Sequence, residues 1–196
     1  MNPQLMAIAG WASWASAVLT VVGFATIVAF FQRGQPWGAI NDVTSVLLML
    51  SLIPVAFALH ALYGPVAPPG ELIALLVGLA GMAVAAVLQT LIVVGAVQFR
   101  QTLRTVLAAG GAVGFWLVTG GLIALASGTL PQALAWLSVV AGVGYVLVAV
   151  GFWLGGQGHP FSLVGGIATV VAYTAFSAWL GTLLLDGRLT TASTGS

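Results

Sequence analysis

None of this chain's seven charged residues lies in the interior of any of six long apolar runs, at 7–31, 42–63, 71–98, 105–127, 132–154 and 162–185, which together hold most of its 196 residues. A helix needs about 20 apolar residues to cross the hydrocarbon core of a bilayer. Inside that core each backbone N–H and C=O must be bonded internally, which helices achieve within one segment. The expected fold is therefore all-α, an integral membrane bundle of six transmembrane helices with short loops. Turn chemistry falls between the runs: Arg33-Gly34-Gln35-Pro36, Gly64-Pro65, Pro68-Pro69-Gly70, Gly128 with Pro131, and Gly155-Gly156-Gln157-Gly158-His159-Pro160. Short connections make neighbouring spans antiparallel, so 1–186 reads as one membrane domain and 187–196 as a flexible polar tail.

Charged residues make up 4% of the chain, whereas about 25% is usual in soluble domains. A soluble fold is excluded on that ground. The chain has no lysine, and its arginines are dispersed as Arg33, Arg100, Arg104 and Arg188, so no basic cluster competes for nucleic acid phosphates. The absence of cysteine removes disulfides, thiolate nucleophiles and thiolate metal ligands. Residues before the first run lack Lys and Arg, and no small-residue cleavage site follows it, which disfavours a cleaved signal peptide.

With six spans, the loops bearing Arg33, Arg100, Arg104 and His159 emerge on one side and Arg188 on the other. The excess of arginine points to the first of these sides as cytoplasmic, with both termini outside. Trp11, Trp14 and Trp136 fall at one interface and Trp37 and Trp153 at the other, as aromatic belts do. Trp116, in mid-span, reads as packing.

Glycine is abundant, with 26 residues. Lipid removes the hydrophobic drive for helices to associate, so small residues that allow close backbone approach must supply the contact. Gly110, Gly114 and Gly121 on the fourth run, Gly151 and Gly155 at the end of the fifth, and Ser13, Ser16, Thr20 and Gly23 on the first are spaced to share helix faces. Packing within the chain is the plainer reading; a dimer seam is the alternative. Leu76-Val77-Gly78 and Leu163-Val164-Gly165 form a short match between the two halves, which as a repeat would place them in opposite orientations. Matches this short arise by chance in such a composition.

Polar residues gather at two depths. On the arginine side lie Asn41, Asp42, Gln89 and Arg100, where Asp42 is placed to pair with Arg33 or Arg100. On the other side His60 and Glu71 are placed to pair with each other. Asp42 and Glu71 also open their runs, where carboxylates cap free amides and oppose the helix dipole. Gln89, about 25 Å along its helix from Glu71, must face protein, water or ligand, because an unbonded amide in hydrocarbon is costly. Its plainer partner is an interhelical hydrogen bond. Pro54 should kink the second span and free the carbonyl of Leu50, with Ser51 near enough to bond it.

Several chemistries are argued down, and no cofactor or metal is expected. A retinal Schiff base needs a lysine. Bis-histidine haem needs two histidines at one depth, and His60 and His159 end on opposite sides. The two histidines and three carboxylates do not converge into a metal site, and Ser51 lies across the helix from His60, too far to serve as its nucleophile.

At Trp37-Gly38-Ala39-Ile40-Asn41-Asp42, followed by an apolar span ending at His60, the chain resembles a group of uncharacterised bacterial multi-span membrane proteins with a Trp-Gly-x-x-Asn-Asp opening. The resemblance covers the first three spans and implies bacterial origin, hence the inner membrane, with no activity to carry over. Three functions remain open: binding or moving a lipid or apolar small molecule, centred on Asn41, Asp42, Gln89 and Arg100; a non-catalytic accessory subunit among membrane protein partners; and an intramembrane enzyme using His60 and Glu71. The shortage of chemistry weighs against the last.

Overall fold

A computed structural model describes residues 2–189. Six spans are helical, and the described residues contain no strand. They are α1 (Pro3–Arg33), α2 (Trp37–Tyr63), α3 (Pro68–Val93), α4 (Phe99–Ser127), α5 (Gln132–Gly155) and a sixth span made of α6 (Pro160–Ala168), a π-turn (Thr169–Tyr173) and α7 (Thr174–Leu185). All six are long and apolar enough to cross a membrane. Of the tail anticipated at 187–196, residues 187–189 lie in a turn and the remainder falls outside the described residues.

Local chemistry moves several ends away from where hydropathy puts them. Asn2 caps α1 by accepting from the Gln4 amide at 2.9 Å, with Pro3 in the first helical turn. α2 begins at Trp37, so Asp42 lies in its second turn and caps nothing. α3 stops at Val93, and Gly95 takes a positive φ of 73° to turn the chain. α4 starts at Phe99, earlier than the apolar run, behind a capping box in which the Gln98 side chain accepts from the amide of Gln101 and the Gln101 side chain from that of Gln98.

Each helix packs on its neighbours in sequence, and the sixth span packs on α1, closing the six into a ring. The distribution of side chains is that of a protein solvated by hydrocarbon. Ser13 and Ser16 are fully buried, while Trp11, Leu76, Leu163 and Val171 are each about 60% exposed or more. Large apolar groups cover the outside, and small or hydroxylated ones line the seams. Trp116 is buried against Gly78, in the packing role its mid-span position suggests.

The seams are closed by glycine. A Cβ on Gly81 would stand 2.6 Å from the Ala109 carbonyl oxygen, joining α3 to α4, and one on Gly114 would stand 2.6 Å from that of Gly142, joining α4 to α5. A Cβ on Gly144 would stand 2.8 Å from the Gly165 carbonyl, joining α5 to α6, and one on Gly181 would stand 2.9 Å from the Gly10 carbonyl, joining α7 to α1. Gly114, Gly121 and Gly151 therefore pack within the chain, whereas a Cβ on Gly110 would meet only Tyr145, at 3.9 Å, and Gly155 faces the nearby His159 ring. Among the described residues, no glycine makes such backbone contact across the two seams of α2.

The α1 face foreseen from Ser13, Ser16 and Thr20 does meet the sixth span. The Tyr173 hydroxyl donates to Ser16 Oγ at 3.0 Å, Ser16 donates to the Ser13 carbonyl at 2.8 Å, and Ser13 donates to the Ser177 carbonyl at 2.8 Å. Gly23 departs from that face: its nearest neighbours are Thr44 and Asn41 on α2. The Ser51 hydroxyl bonds the Leu48 carbonyl at 2.7 Å rather than that of Leu50.

Candidate functional site

α2 contributes to both of the polar groupings that the sequence singles out, Asn41 and Asp42 to one and His60 to the other. At its C-terminal end His60 Nδ1 is bonded to Glu71 Oε2 on the first turns of α3. Glu71 is 3% exposed, while the His60 side chain keeps 40% of its surface accessible. The carboxylate thus spends its hydrogen bonding on a neighbouring helix and not on capping its own. The pair meets the contact requirement for acid–base chemistry, yet no hydroxyl among the described residues is bonded to His60. Tyr63, one turn on, is buried beside the pair and close to Gly120 of α4.

Eighteen residues back from His60 is Asp42, and eighteen forward from Glu71 is Gln89. Eighteen residues are about five helical turns, so each lies at the azimuth of the residue it is counted from. On antiparallel helices the seam that closes on His60 and Glu71 at one boundary therefore presents Asp42 and Gln89 at the other. There no hydrogen bond joins the two helices through these side chains. Gln89 is 7% exposed, and its Oε1 is buried without a hydrogen-bond partner. The interhelical bond that would most simply have satisfied this amide is absent.

The other arginine-side residues are dispersed. Asn41 Oδ1 accepts from Thr26 on α1 at 3.4 Å, tying it to the α1–α2 seam. Asp42 is half-buried and forms no ion pair with Arg33 or Arg100. Arg100 cannot continue the α3 face, because α3 ends at Val93 and Arg100 belongs to the exposed first turn of α4. The same early end leaves Gln89 about one turn from its helix terminus, nearer the membrane boundary than the hydropathy run implies. Neighbouring side chains keep it from water more than depth does.

Two features escaped the sequence reading. Thr169 opens the π-turn and Thr174 directly follows it, and their hydroxyls are buried without partners, whereas Thr20, Thr44, Thr90 and Thr182 each donate to the carbonyl four residues before them. The backbone amides of both threonines still reach the carbonyls four residues back, Gly165 and Val170, but their hydroxyls do not bond them. Tyr173 within it stands edge-on to Tyr145, with ring centroids 6.2 Å apart. The spacing of Thr169, Tyr173 and Ser177 by four residues was the available signal. Comparison with known protein families, curated proteins and solved structures matches none of them to this chain.

Proposed function

We propose that this integral membrane protein binds a small amphiphile in the α2–α3 seam at its arginine end. The observation that carries the reading is the buried, unbonded Oε1 of Gln89. A carbonyl oxygen can only accept, so the ligand's polar end must donate, as a hydroxyl, amine or amide does. Asp42 adds a carboxylate at the same level and favours a donor over an anion. The seam is one of the two whose described glycines make no close backbone contact, and Pro54 removes a backbone donor from α2. A polar end at the boundary leaves an apolar tail to run along the helices in hydrocarbon.

The orientation that accompanies this reading sets the loops of Arg33 and Arg100 in the cytoplasm of a bacterial cell, with the membrane being the inner one. Its support is the excess of arginine at that end.

Gln89→Leu tests the site. An unsatisfied buried acceptor costs about 1–3 kcal/mol, so its removal stabilises the empty protein by about 1 kcal/mol, measured by denaturant titration in detergent after exhaustive delipidation. Native mass spectrometry of protein extracted from its own membrane shows a constant small-molecule adduct on the wild type and none on the variant. An unchanged adduct profile together with lowered stability would refute the reading and assign Gln89 to packing alone.

A further inference from the structure

A concavity lies on the lipid-facing surface between α4 and α5, lined by neither Gln89 nor Asp42. It encloses about 460 Å³ and is lined by Leu103, Arg104 and Leu107 of α4 and by Phe152 and Trp153 of α5. Leu103 and Leu107 are one turn apart, as are Arg100 and Arg104, so a charged strip and an apolar strip run side by side down α4. Trp153 is 65% exposed and carries an indole N–H at the membrane boundary.

The charges at this end are unbalanced. Among the described residues the ion pairs are His60 with Glu71 and Arg188 with Asp186, both at the opposite end. Arg33, Arg100 and Arg104 face a single carboxylate, Asp42, and pair with none. A guanidinium beside an apolar groove at a bilayer boundary complements a phosphate attached to an acyl chain. A second copy of this chain meeting the groove about a symmetry axis would bring guanidinium against guanidinium without a carboxylate between them, and free phosphate would leave the apolar wall unused.

We infer that the α4–α5 groove holds one anionic phospholipid, its phosphate on Arg104 and its chain along Leu103, Leu107 and Phe152. The protein is reconstituted into vesicles of phosphatidylcholine and phosphatidylglycerol in equal parts, released gently, and its retained lipids are counted by native mass spectrometry. Wild type retains phosphatidylglycerol in preference. Arg104→Gln lowers that preference about fivefold, the effect of one interfacial arginine, while Arg33→Gln, at the same end but off the groove, leaves it unchanged. Equal retention of the two lipids by wild type, or equal losses in the two variants, overturns the assignment. A dimer that disappears in Arg104→Gln overturns it too and names a second copy as the occupant.

Discussion

Leucine in place of Gly142 yields no folded protein in mild detergent, and alanine there destabilises it by about 2 kcal/mol, within the range for overpacking. The reason is backbone geometry. A Cβ at 142 would stand 2.5 Å from the Gly114 carbonyl oxygen and 2.7 Å from the Val118 nitrogen, and neither atom can rotate away. α4 and α5 must separate to admit it. In lipid no hydrophobic drive recloses the gap, so the lost dispersion contact is not recovered. The control is Gly111→Ala, whose added methyl would find its nearest neighbour, the Ala149 Cβ, at 3.7 Å, and which gains up to about 1 kcal/mol of helix propensity. Reversible unfolding in mixed detergent micelles measures both. A Gly142→Ala variant as stable as wild type would contradict close backbone packing of this seam.

The second large effect is asymmetric. His60→Ala strands the Glu71 carboxylate, 3% exposed, without its partner. Removing the bonded partner of a buried carboxyl leaves it unsatisfied at about 1–3 kcal/mol, more if it is charged, and water entering through the gap left by the half-exposed imidazole holds the loss to about 2 kcal/mol. Glu71→Leu strands only the imidazole, which still meets water, and costs well under half as much. The double variant His60→Leu with Glu71→Leu recovers most of the loss, because replacing both partners by apolar groups leaves no buried polar group unsatisfied. Equal losses for the two single variants would show that the pair does not bury Glu71 as described.

What was legible in the sequence divides along physical lines. Six helices followed from apolar run length alone, since hydrocarbon permits little else. The His60–Glu71 contact was legible because both residues sit at adjoining ends of consecutive helices joined by a short turn. Helix termini were not legible from hydropathy. Asn2, Gln98 and Gln101 extend or start helices through side-chain bonds that an apolar average does not register. That difference carries into the site: Asp42, placed by hydropathy at the start of its helix as a cap, lies in the second turn once α2 starts at Trp37, and the early end of α3 at Val93 puts Arg100 on a separate helix from Gln89. Glycine spacing indicated faces but not which members touch, so Gly114 proved a contact and Gly110 did not. The four-residue spacing of Thr169, Tyr173 and Ser177 marks a shared polar face, but not that the helix widens into a π-turn at Thr169–Tyr173.

The absence of cysteine from the chain gives a clean background for the most direct test of its transmembrane arrangement. Single cysteines replace Gln35, Gln157, Val66, Thr129 and Val143, and each variant is exposed in intact cells to a maleimide that cannot cross membranes, before and after permeabilisation. Gln35→Cys and Gln157→Cys should label only after permeabilisation, Val66→Cys and Thr129→Cys at once, and Val143→Cys, lipid-facing at mid-span, in neither condition. Ready labelling at 143, or labelling of 35 and 129 from the same side, would contradict a six-span bundle with its arginine end in the cytoplasm.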